Sequence, residues 1–397
     1  MQNKRNLIIL FVTLVIMMMG FGIIIPILPD LVVMFGGTGV QMGGLMAIFS
    51  FMQFLVSPMW GSLSDRFGRK PIIMLGVFGN AVSMLALGLS TQLWMLFAAR
   101  GLAGILSSAT LPTAMAYISD STDEKSRGGG MGVIGAAMGL GMVLGPGAGG
   151  MLSALSLQAP FYFAAALSLV AMAAIWLFLP ESLAGESRET GVKLRGPQLS
   201  AMWEALVGPI AFLFIAAFMI SFAMTNFEGI YAYYAMDRYG YGPETIGYIL
   251  TAIGVVSVIA QGALTGIATR KFGEANVIKA SLIASVAGFL VMLLATNLTS
   301  VILTASFFVL ANAMLRPAVS SLISQRTTQG QGIAMGLNNA FMSLGRVIGP
   351  LWAGVVIDVN LTFPFITGAI VMLIGFIASL LYLRGDAPPK TVAETVR

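Results

Sequence analysis

Long apolar runs separated by short polar segments are the dominant pattern of this chain, for example at residues 7–28, 72–89 and 210–223. A helix of about 20 apolar residues matches the thickness of the hydrocarbon core of a bilayer. The strands of a membrane barrel are about 10 residues long and alternate in polarity, which these runs do not. We therefore predict an all-α membrane protein with twelve transmembrane helices, at residues 6–29, 43–63, 72–92, 94–118, 129–153, 160–180, 208–236, 244–268, 276–296, 299–323, 332–357 and 362–384.

The basic residues predict how these helices are oriented. If the N-terminus is cytoplasmic, Arg238 is the only Lys or Arg expected in an outer loop, as the positive-inside rule requires. We expect an N-terminal six-helix bundle at residues 1–180, a charged cytoplasmic linker at 181–207, and a C-terminal bundle at 208–397 that ends in a short cytoplasmic tail. The predicted location is the bacterial cytoplasmic membrane, with multiple passes and both termini inside.

Two landmarks recur at nearly the same spacing. The sequence GSLSDRFG from Gly61 is echoed by GIATRKFG from Gly266, 205 residues later, and GPGAG from Gly145 is echoed by GPLWA from Gly349, 204 residues later. Duplicated halves are common in transporters, which place their binding sites where the repeats meet. The repeat predicts two pseudo-symmetric six-helix bundles.

The amino-acid composition limits the side-chain chemistry that the chain can perform. The chain is 57% hydrophobic and 9% charged, whereas soluble domains carry about 25% charged residues. It has no Cys and no His, so thiolate chemistry, disulfides and histidine metal sites are excluded. Carboxylates must carry any proton chemistry, and we expect no metal, no cofactor and no enzyme activity. The net charge of +5 comes from loop residues that set topology, so no nucleic acid partner is expected.

Five motifs in order carry a family resemblance. Gly61–Pro71 resembles the signature between helices 2 and 3 of the major facilitator superfamily, and Leu96–Gly104 resembles its helix-4 motif. Gly141–Gly150 resembles the helix-5 motif of drug:proton antiporters. Gly20–Pro29 and Gly345–Leu351 resemble the helix-1 and helix-11 motifs of the twelve-helix drug branch.

Two further stretches, Asn226–Asp237 and Met314–Ala318, are similar to the NorA and Bmr group of quinolone and multidrug antiporters. That group has a second carboxylate in helix 10, where this chain has Ala313. Arg346 also departs from the group's pattern, and we expect Asn312 or a water to contact it.

The resemblance implies proton-coupled efflux of amphipathic drugs, such as quinolones or other cationic or zwitterionic compounds, by alternating access. The expected partners are a small-molecule drug, protons and membrane lipids, the proton gradient is the energy source, and the protein is expected to be a monomer. Three alternatives remain open: an exporter of narrower specificity (for tetracycline, sugars or lipids), a proton symporter, and a non-transporting membrane sensor.

Glu228 is the leading candidate for proton coupling. It lies nine residues before Asp237, about 13 Å into the seventh span, and a carboxylate at this depth is costly and usually functional. Such a group can bind either a proton or a cationic drug, which is the simplest basis for exchange. Arg100 and Arg316 are its candidate partners. Asp30, after Pro29, completes the set, although its position favours a solvated helix end. A structural glutamate–arginine pair is the alternative.

The loop after the second span is a candidate conformational latch, formed by Gly61, Asp65, Arg66, Gly68 and Arg69. Asp65 is expected to meet the N-terminus of helix 11 near Gly332, because a helix dipole favours an anion there. A basic loop that only sets topology is the alternative. The second half has Arg270 where the first has Asp65, so the latch is expected to be asymmetric and to depend on Asp65.

Small residues mark two candidate hinge segments. Glycine lets helices approach closely in lipid, and proline can kink them. The hinge candidates, for which plain helix packing is an equal alternative, are Gly141, Gly145, Pro146, Gly149, Gly150, Gly345, Gly349 and Pro350. Met and aromatic side chains suit an adaptable drug site. The substrate-binding candidates are Met18, Phe21, Gln53, Met138, Asn226, Phe227, Glu228, Tyr231 and Asn338.

Overall fold

A computed structural model describes residues 2–183, 199–208, 210–327 and 330–383 of the chain. Within these ranges the structure is helical and contains no strand. The helices are α1 Gln2–Ile24, α2 Leu28–Met34, α3 Gly39–Phe67, α4 Arg69–Gly88, α5 Leu93–Leu106, α6 Thr110–Ser121, α7 Glu124–Ser153, α8 Ala159–Phe178, α9 Leu199–Ala205, α10 Ala211–Tyr239, α11 Pro243–Ile259, α12 Thr265–Phe272, α13 Glu274–Met292, α14 Leu298–Arg326, α15 Gln331–Ile357 and α16 Phe363–Tyr382.

Twelve helical segments in the described residues are long and apolar enough to cross a membrane, which confirms the predicted number. Two of them are built from two helices each: a 3₁₀ turn at Ser107–Ala109 joins α5 to α6, and a π turn at Ala260–Leu264 joins α11 to α12. Helices are expected here because every backbone polar group in hydrocarbon must be satisfied within its own segment.

The end of the first span differs from the prediction. The predicted helix runs to residue 29, but α1 ends at Ile24, and the separate helix α2 begins at Leu28. Pro26 explains the break, because proline has no backbone N–H to donate and disfavours helical backbone at the residue before it. Asp30 therefore lies in the first turn of α2, rather than at the end of the membrane helix.

The chain forms two compact units. The first comprises Met1–Pro197 and Ala232–Thr251, and the second comprises Gln198–Tyr231 and Ala252–Arg397. The predicted domain boundaries concern duplicated halves, which this division by packing does not test. Residues 184–198 of the predicted linker and the predicted tail after residue 383 lie outside the described residues.

In the first unit, glycines bring α7 against α1. A Cβ atom added to Gly141 would lie 2.6 Å from the Val15 carbonyl oxygen, and one added to Gly145 would lie 2.7 Å from that of Met19. The series continues at Gly149, whose added Cβ would lie 2.6 Å from the Ile23 oxygen. These contacts leave no room for side chains, so the glycines set the distance between the two helices.

The second unit repeats this packing between α10 and α15. Gly345 lies against Phe218 and Phe222, and Gly349 lies against Thr225. Two hydrogen bonds join the same helices: Ser221 Oγ donates to the Met342 oxygen at 2.7 Å, and Thr225 Oγ1 donates to the Gly345 oxygen at 3.1 Å. Residue numbers rise together along the contact, so the two helices run parallel.

The prolines of the two hinge segments occupy matching positions. A Cβ added to Gly22 would lie 2.9 Å from Pro146, and one added to Gly229 would lie 2.9 Å from Pro350. The remaining hinge candidate, Gly150, lies against Pro243 at the start of α11. All the hinge candidates therefore lie in helix packing contacts within one unit or the other.

The turn glycines show the repeat in the backbone itself. Gly68 ends α3 with φ 101°, and Gly273, 205 residues later, ends α12 with φ 78°. Other residues rarely adopt positive φ, so glycine is required at both turns. In each case the next helix begins at the following residue.

Candidate functional site

A charged cluster surrounds the Gly68 turn in the first unit, with Arg69 at its centre. The Arg69 guanidinium donates from Nε to Asp120 Oδ2 at 2.9 Å and from Nη1 to Ser64 Oγ at 2.6 Å, and forms an ion pair with Asp65. Arg69 is buried, whereas Asp65 keeps 43% of its side chain exposed. A single guanidinium thus ties the end of α3 to the end of α6.

Glu181 closes the other side of this cluster. Its carboxylate accepts hydrogen bonds from the backbone N–H groups of Arg69 at 2.8 Å and Lys70 at 3.1 Å, which are the first two residues of α4. Lys70 Nζ donates to the Trp176 carbonyl oxygen at 2.8 Å, in the last turn of α8. The Glu181 carboxylate therefore lies at the N-terminus of α4, and the Lys70 ammonium lies at the C-terminus of α8. Helix dipoles favour a negative charge at the first position and a positive charge at the second.

The other latch candidates lie close by. Gly61 accepts a hydrogen bond from Ser64 Oγ at 2.8 Å, and the Arg66 guanidinium lies 5.3 Å from the Phe67 ring. Arg270, at the position equivalent to Asp65, donates to the Gly266 oxygen of its own helix at 2.9 Å. The expected approach of Asp65 to helix 11 concerns both units and stays a prediction.

Arg100 lies fully buried in the first unit. Its Nε donates to the Leu45 carbonyl oxygen at 3.1 Å, and its guanidinium carbon lies 4.6 Å from the Phe49 ring and 5.8 Å from the Phe21 ring. No carboxylate lies within 4 Å of it among the described residues. A carbonyl and two aromatic faces thus hold the charge, as cation–π contacts in a dry site can.

Glu228, Arg316 and Arg346 form a charge cluster in the second unit. The electrostatic fields of Arg316 and Arg346 both act on Glu228, and the two arginines lie near enough for Arg316 to act on Arg346. No ion pair within 4 Å joins the three among the described residues. Arg346 Nη2 instead donates to Ser343 Oγ of its own helix at 3.0 Å. Glu228 and Arg346 are partly buried, and Arg316 is exposed.

Three buried asparagines in the same unit have unsatisfied atoms. Asn226 Nδ2 donates to the Pro364 oxygen at 2.8 Å and Asn338 Nδ2 donates to Ser320 Oγ at 3.1 Å. Their Oδ1 atoms, and Nδ2 of Asn312, have no hydrogen-bond partner among the described residues. Unsatisfied buried polar atoms are rare in folded proteins.

The remaining substrate candidates of the second unit belong to an aromatic cluster. Phe227 lies 4.6 Å from Tyr231 and 5.1 Å from Phe308, measured between ring centroids, and Phe308 lies 4.2 Å from Phe289. Phe227 and Tyr231 are 1% and 2% exposed, so their rings pack into the core beside Glu228 rather than present a free face.

The substrate candidates of the first unit lie in three different places. Met18 and Met138 pack against the same buried core, and Phe21 lies 5.4 Å from Phe49 and near Arg100. Gln53 is partly buried on α3.

Asp30 stands apart from all of these groups. Burial raises the pKa of its carboxyl, and a hydrogen bond from its own backbone lowers it by less. Its Oδ2 is buried without a hydrogen-bond partner among the described residues. Asp30 is partly buried at the start of α2, and its role at a solvated helix end stays a prediction.

Sequence reasoning missed Asp120, Glu181 and Phe49, and it did not anticipate the hydrogen bond from Arg346 to Ser343. Asp120 and Glu181 are acidic residues at the ends of the fourth and sixth predicted spans, where basic residues predominate. That departure was the available signal. Among the described residues, no cluster of three Asp, Glu, His or Cys could hold a metal.

Comparisons with known proteins agree with this architecture. The Major Facilitator Superfamily model matches residues 10–242 and 213–397. The chain is 32% identical to Multidrug resistance protein 2 of Bacillus subtilis (strain 168), over 94% of each chain. It is 29% identical to Quinolone resistance protein NorA of Staphylococcus aureus (strain COL), over 98% of this chain and 99% of NorA.

Among solved structures, the crystal structure of the human organic anion transporter MFSD10 (TETRAN) matches with a TM-score of 0.70 and 25% identity, over 95% of this chain and 99% of that one. The family match covers nearly the whole sequence, and the twelve apolar helices fit it. The chain therefore belongs to the major facilitator superfamily and is a multi-pass membrane transporter.

Proposed function

We propose that the protein exports amphipathic drugs in exchange for protons, by alternating access. The observation that carries the proposal is the position of Glu228. In the twelve described spans it is the only Asp or Glu more than two residues from a span end. Relatives named for multidrug and quinolone resistance support drugs as the substrates.

The exchange chemistry follows from the position of Glu228 as the single acidic residue at this depth in the described spans. A charged carboxylate in a membrane span is costly unless it is neutralised, and a proton or a cationic group can each neutralise it. The two cannot occupy the carboxylate together, so binding of one displaces the other. Exchange then needs only that the site opens to each side of the membrane in turn.

The neighbouring residues have supporting roles in this proposal. Arg316 and Arg346 hold Glu228 electrostatically when it is charged and are released when it is protonated. Arg100 and Asp30 lack a carboxylate or arginine partner of this kind, and we assign them secondary roles in proton coupling. The Gly68 turn acts as the conformational latch through Asp65. The glycine contacts of α7 and of α15 act as hinges, because they hold each helix rigidly against its neighbour while the units move.

The membrane arrangement completes the proposal. Both termini face the cytoplasm, the protein acts as a monomer among membrane lipids, and the proton gradient supplies the energy without a cofactor.

The test uses purified protein in proteoliposomes that contain a pH-sensitive dye. Adding norfloxacin should release protons from the parent protein. In a second assay, an imposed pH gradient should drive the accumulation of norfloxacin in the vesicles. Glu228→Gln should abolish both signals, because an amide cannot exchange a proton. Glu244→Gln is the matched control, because Glu244 is an exposed glutamate in the first turn of α11. Normal proton exchange by Glu228→Gln would refute the proposal.

The direction and breadth of transport separate the alternatives. Proton movement in the same direction as the drug indicates a symporter. Transport of one compound class alone indicates a narrower exporter, and the description of MFSD10 makes organic anions the first class to try.

A further inference from the structure

The interior of the described spans carries more positive than negative charge. Arg100, Arg316, Arg346 and Glu228 are the only charged residues more than five positions from a span end. Three cations therefore accompany one anion. Charges at such depth are costly and are retained where they bind something.

The charge of Arg100 is already satisfied by contacts within the protein. It is 1% exposed and is held by the Leu45 oxygen and two aromatic rings, so it offers no surface to a ligand. The surplus of positive charge that could act on a ligand is therefore in the second unit, where Arg316 and Arg346 share Glu228.

The donors of these two arginines are mostly unused. A guanidinium carries five N–H donors. Neither arginine has a carboxylate within 4 Å in the described part of the chain, and the hydrogen bond from Arg346 to Ser343 occupies one donor. Asn312, one helical turn before Arg316, adds a buried Nδ2 donor without a partner there. Such a set of donors suits a carboxylate.

The acidic group lies at a matching depth. Glu228 is eleven residues before the end of α10 at Tyr239, and Arg346 is eleven before the end of α15 at Ile357, about 17 Å of helix in each case. The two helices run parallel in close contact through Gly345 and Gly349. The hydrogen bond between Asn338 and Ser320 joins α15 to α14, which carries Arg316.

We propose that Arg346, assisted by Arg316, binds a carboxylate of the transported compound, and that this compound is an amphipathic zwitterion whose basic nitrogen pairs with Glu228. The proposal rests on the proposed exchange function and specifies its substrate. Arg346 thereby becomes the residue that selects carboxylate-bearing compounds over simple lipophilic cations.

The charges of Arg316, Arg346 and Glu228 favour a zwitterion over a monocation or a simple anion. A monocation would add positive charge beside two arginines that only one glutamate offsets, and like charges repel. A simple anion would bind the arginines best when Glu228 is protonated, so proton and substrate would bind together, which is symport. A zwitterion satisfies the arginines with its carboxylate, while its basic nitrogen competes with the proton for Glu228.

The experiment compares norfloxacin, which has a carboxylate and a basic nitrogen, with its ethyl ester, in which only the carboxylate is masked. Binding to purified full-length protein is measured by equilibrium dialysis at pH 7.5, with ethidium as a monocation. The variants are Arg346→Gln and Arg346→Lys. Arg270→Gln is the matched control, because Arg270 is exposed and bonds only to its own helix. Thermal melting and size-exclusion chromatography establish folding.

The parent should bind the acid about tenfold or more tightly than the ester, as expected for a charged hydrogen-bonding pair. Arg346→Gln should remove this preference by weakening the binding of the acid, and it should leave the affinity for the two monocations, the ester and ethidium, unchanged or higher. Arg346→Lys should restore part of the preference, since a lysine keeps the charge without the paired donors. Arg270→Gln should leave all three affinities unchanged.

Equal binding of acid and ester by the parent would overturn the proposal, as would an equal loss of both in Arg346→Gln. If Arg346→Gln does not fold, Arg346→Lys decides, because its acid preference must fall below that of the parent. Proton release separates this result from the exchange function. Arg346-dependent acid binding without proton release would refute exchange alone, whereas proton release by both compounds, with equal affinity for acid and ester, would refute the carboxylate site alone.

Discussion

Glu181 Oε1 accepts a hydrogen bond from the backbone nitrogen of Arg69 at 2.8 Å, across 112 residues of sequence. Gly68, the residue before α4, has no side chain with which to cap the helix, so Glu181 supplies the cap from a distance. Glu181→Ala should cost about 1 kcal/mol of stability and lower the apparent melting temperature by about 2–4 °C.

Glu204→Ala is the control for this change, since Glu204 is an exposed glutamate on α9. Its melting temperature should equal that of the parent in the same detergent. Equal melting temperatures for Glu181→Ala and the parent would show that the cap contributes nothing.

The two halves differ at the latch, and transport should reveal the difference. The Asp65 side chain is 43% exposed and pairs with Arg69 at i,i+4, so Asp65→Asn should cost only about 0.5 kcal/mol of stability. If Asp65 acts as the latch, the same variant should lose transport by about tenfold or more. Arg270→Gln changes the equivalent position of the second half and should transport like the parent. Similar transport by the two variants would remove the asymmetric latch.

Hydropathy predicts most of the fold because a bilayer allows few alternatives to a long apolar helix. The break after Ile24 shows where this reasoning fails. Pro26 was visible in the sequence, but the apolar run continues past it to Leu28, and hydropathy alone does not mark a backbone turn.

Some residues of the candidate site could be predicted from the sequence, and others could not. Glu228, Arg100 and Arg316 are conspicuous because each is an ionisable residue inside an apolar run. Asp120 and Glu181 lie at span ends, where charged residues are common, and only the fold brings them to Arg69. The placement of Arg346 near Arg316 and Glu228 needed the spatial relation of three helices, which sequence spacing does not give.

The glycine packing of α15 offers a matched pair of substitutions. A Cβ added to Gly345 would lie 2.6 Å from the Phe218 oxygen and 2.7 Å from the Phe222 nitrogen, both of them backbone atoms that cannot move aside alone. Gly345→Ala should therefore destabilise the protein by about 1–3 kcal/mol. Gly336 lies on the same helix with nothing within 4 Å of an added Cβ, so Gly336→Ala should leave stability unchanged or raise it slightly. Thermal melting in detergent measures both, and equal melting temperatures would contradict the packing argument.

Asp30 provides a prediction about pH. Burial raises the pKa of its carboxyl above the ordinary value of 3.8, so the charged form is less favourable in the folded protein than in the unfolded chain. The contribution of this carboxyl to stability is therefore fully present below about pH 3.8 and is lost as the pH rises through the folded pKa.

Asp30→Asn removes the cost of the charge. It should raise the apparent melting temperature at pH 7.5 by on the order of 2 °C, and the difference from the parent should shrink as the pH falls towards 4. Asp237→Asn, at an exposed aspartate near the end of α10, is the control for the exchange of an aspartate for an asparagine. A difference that stays constant with pH would mean that the effect of Asp30→Asn does not arise from ionisation.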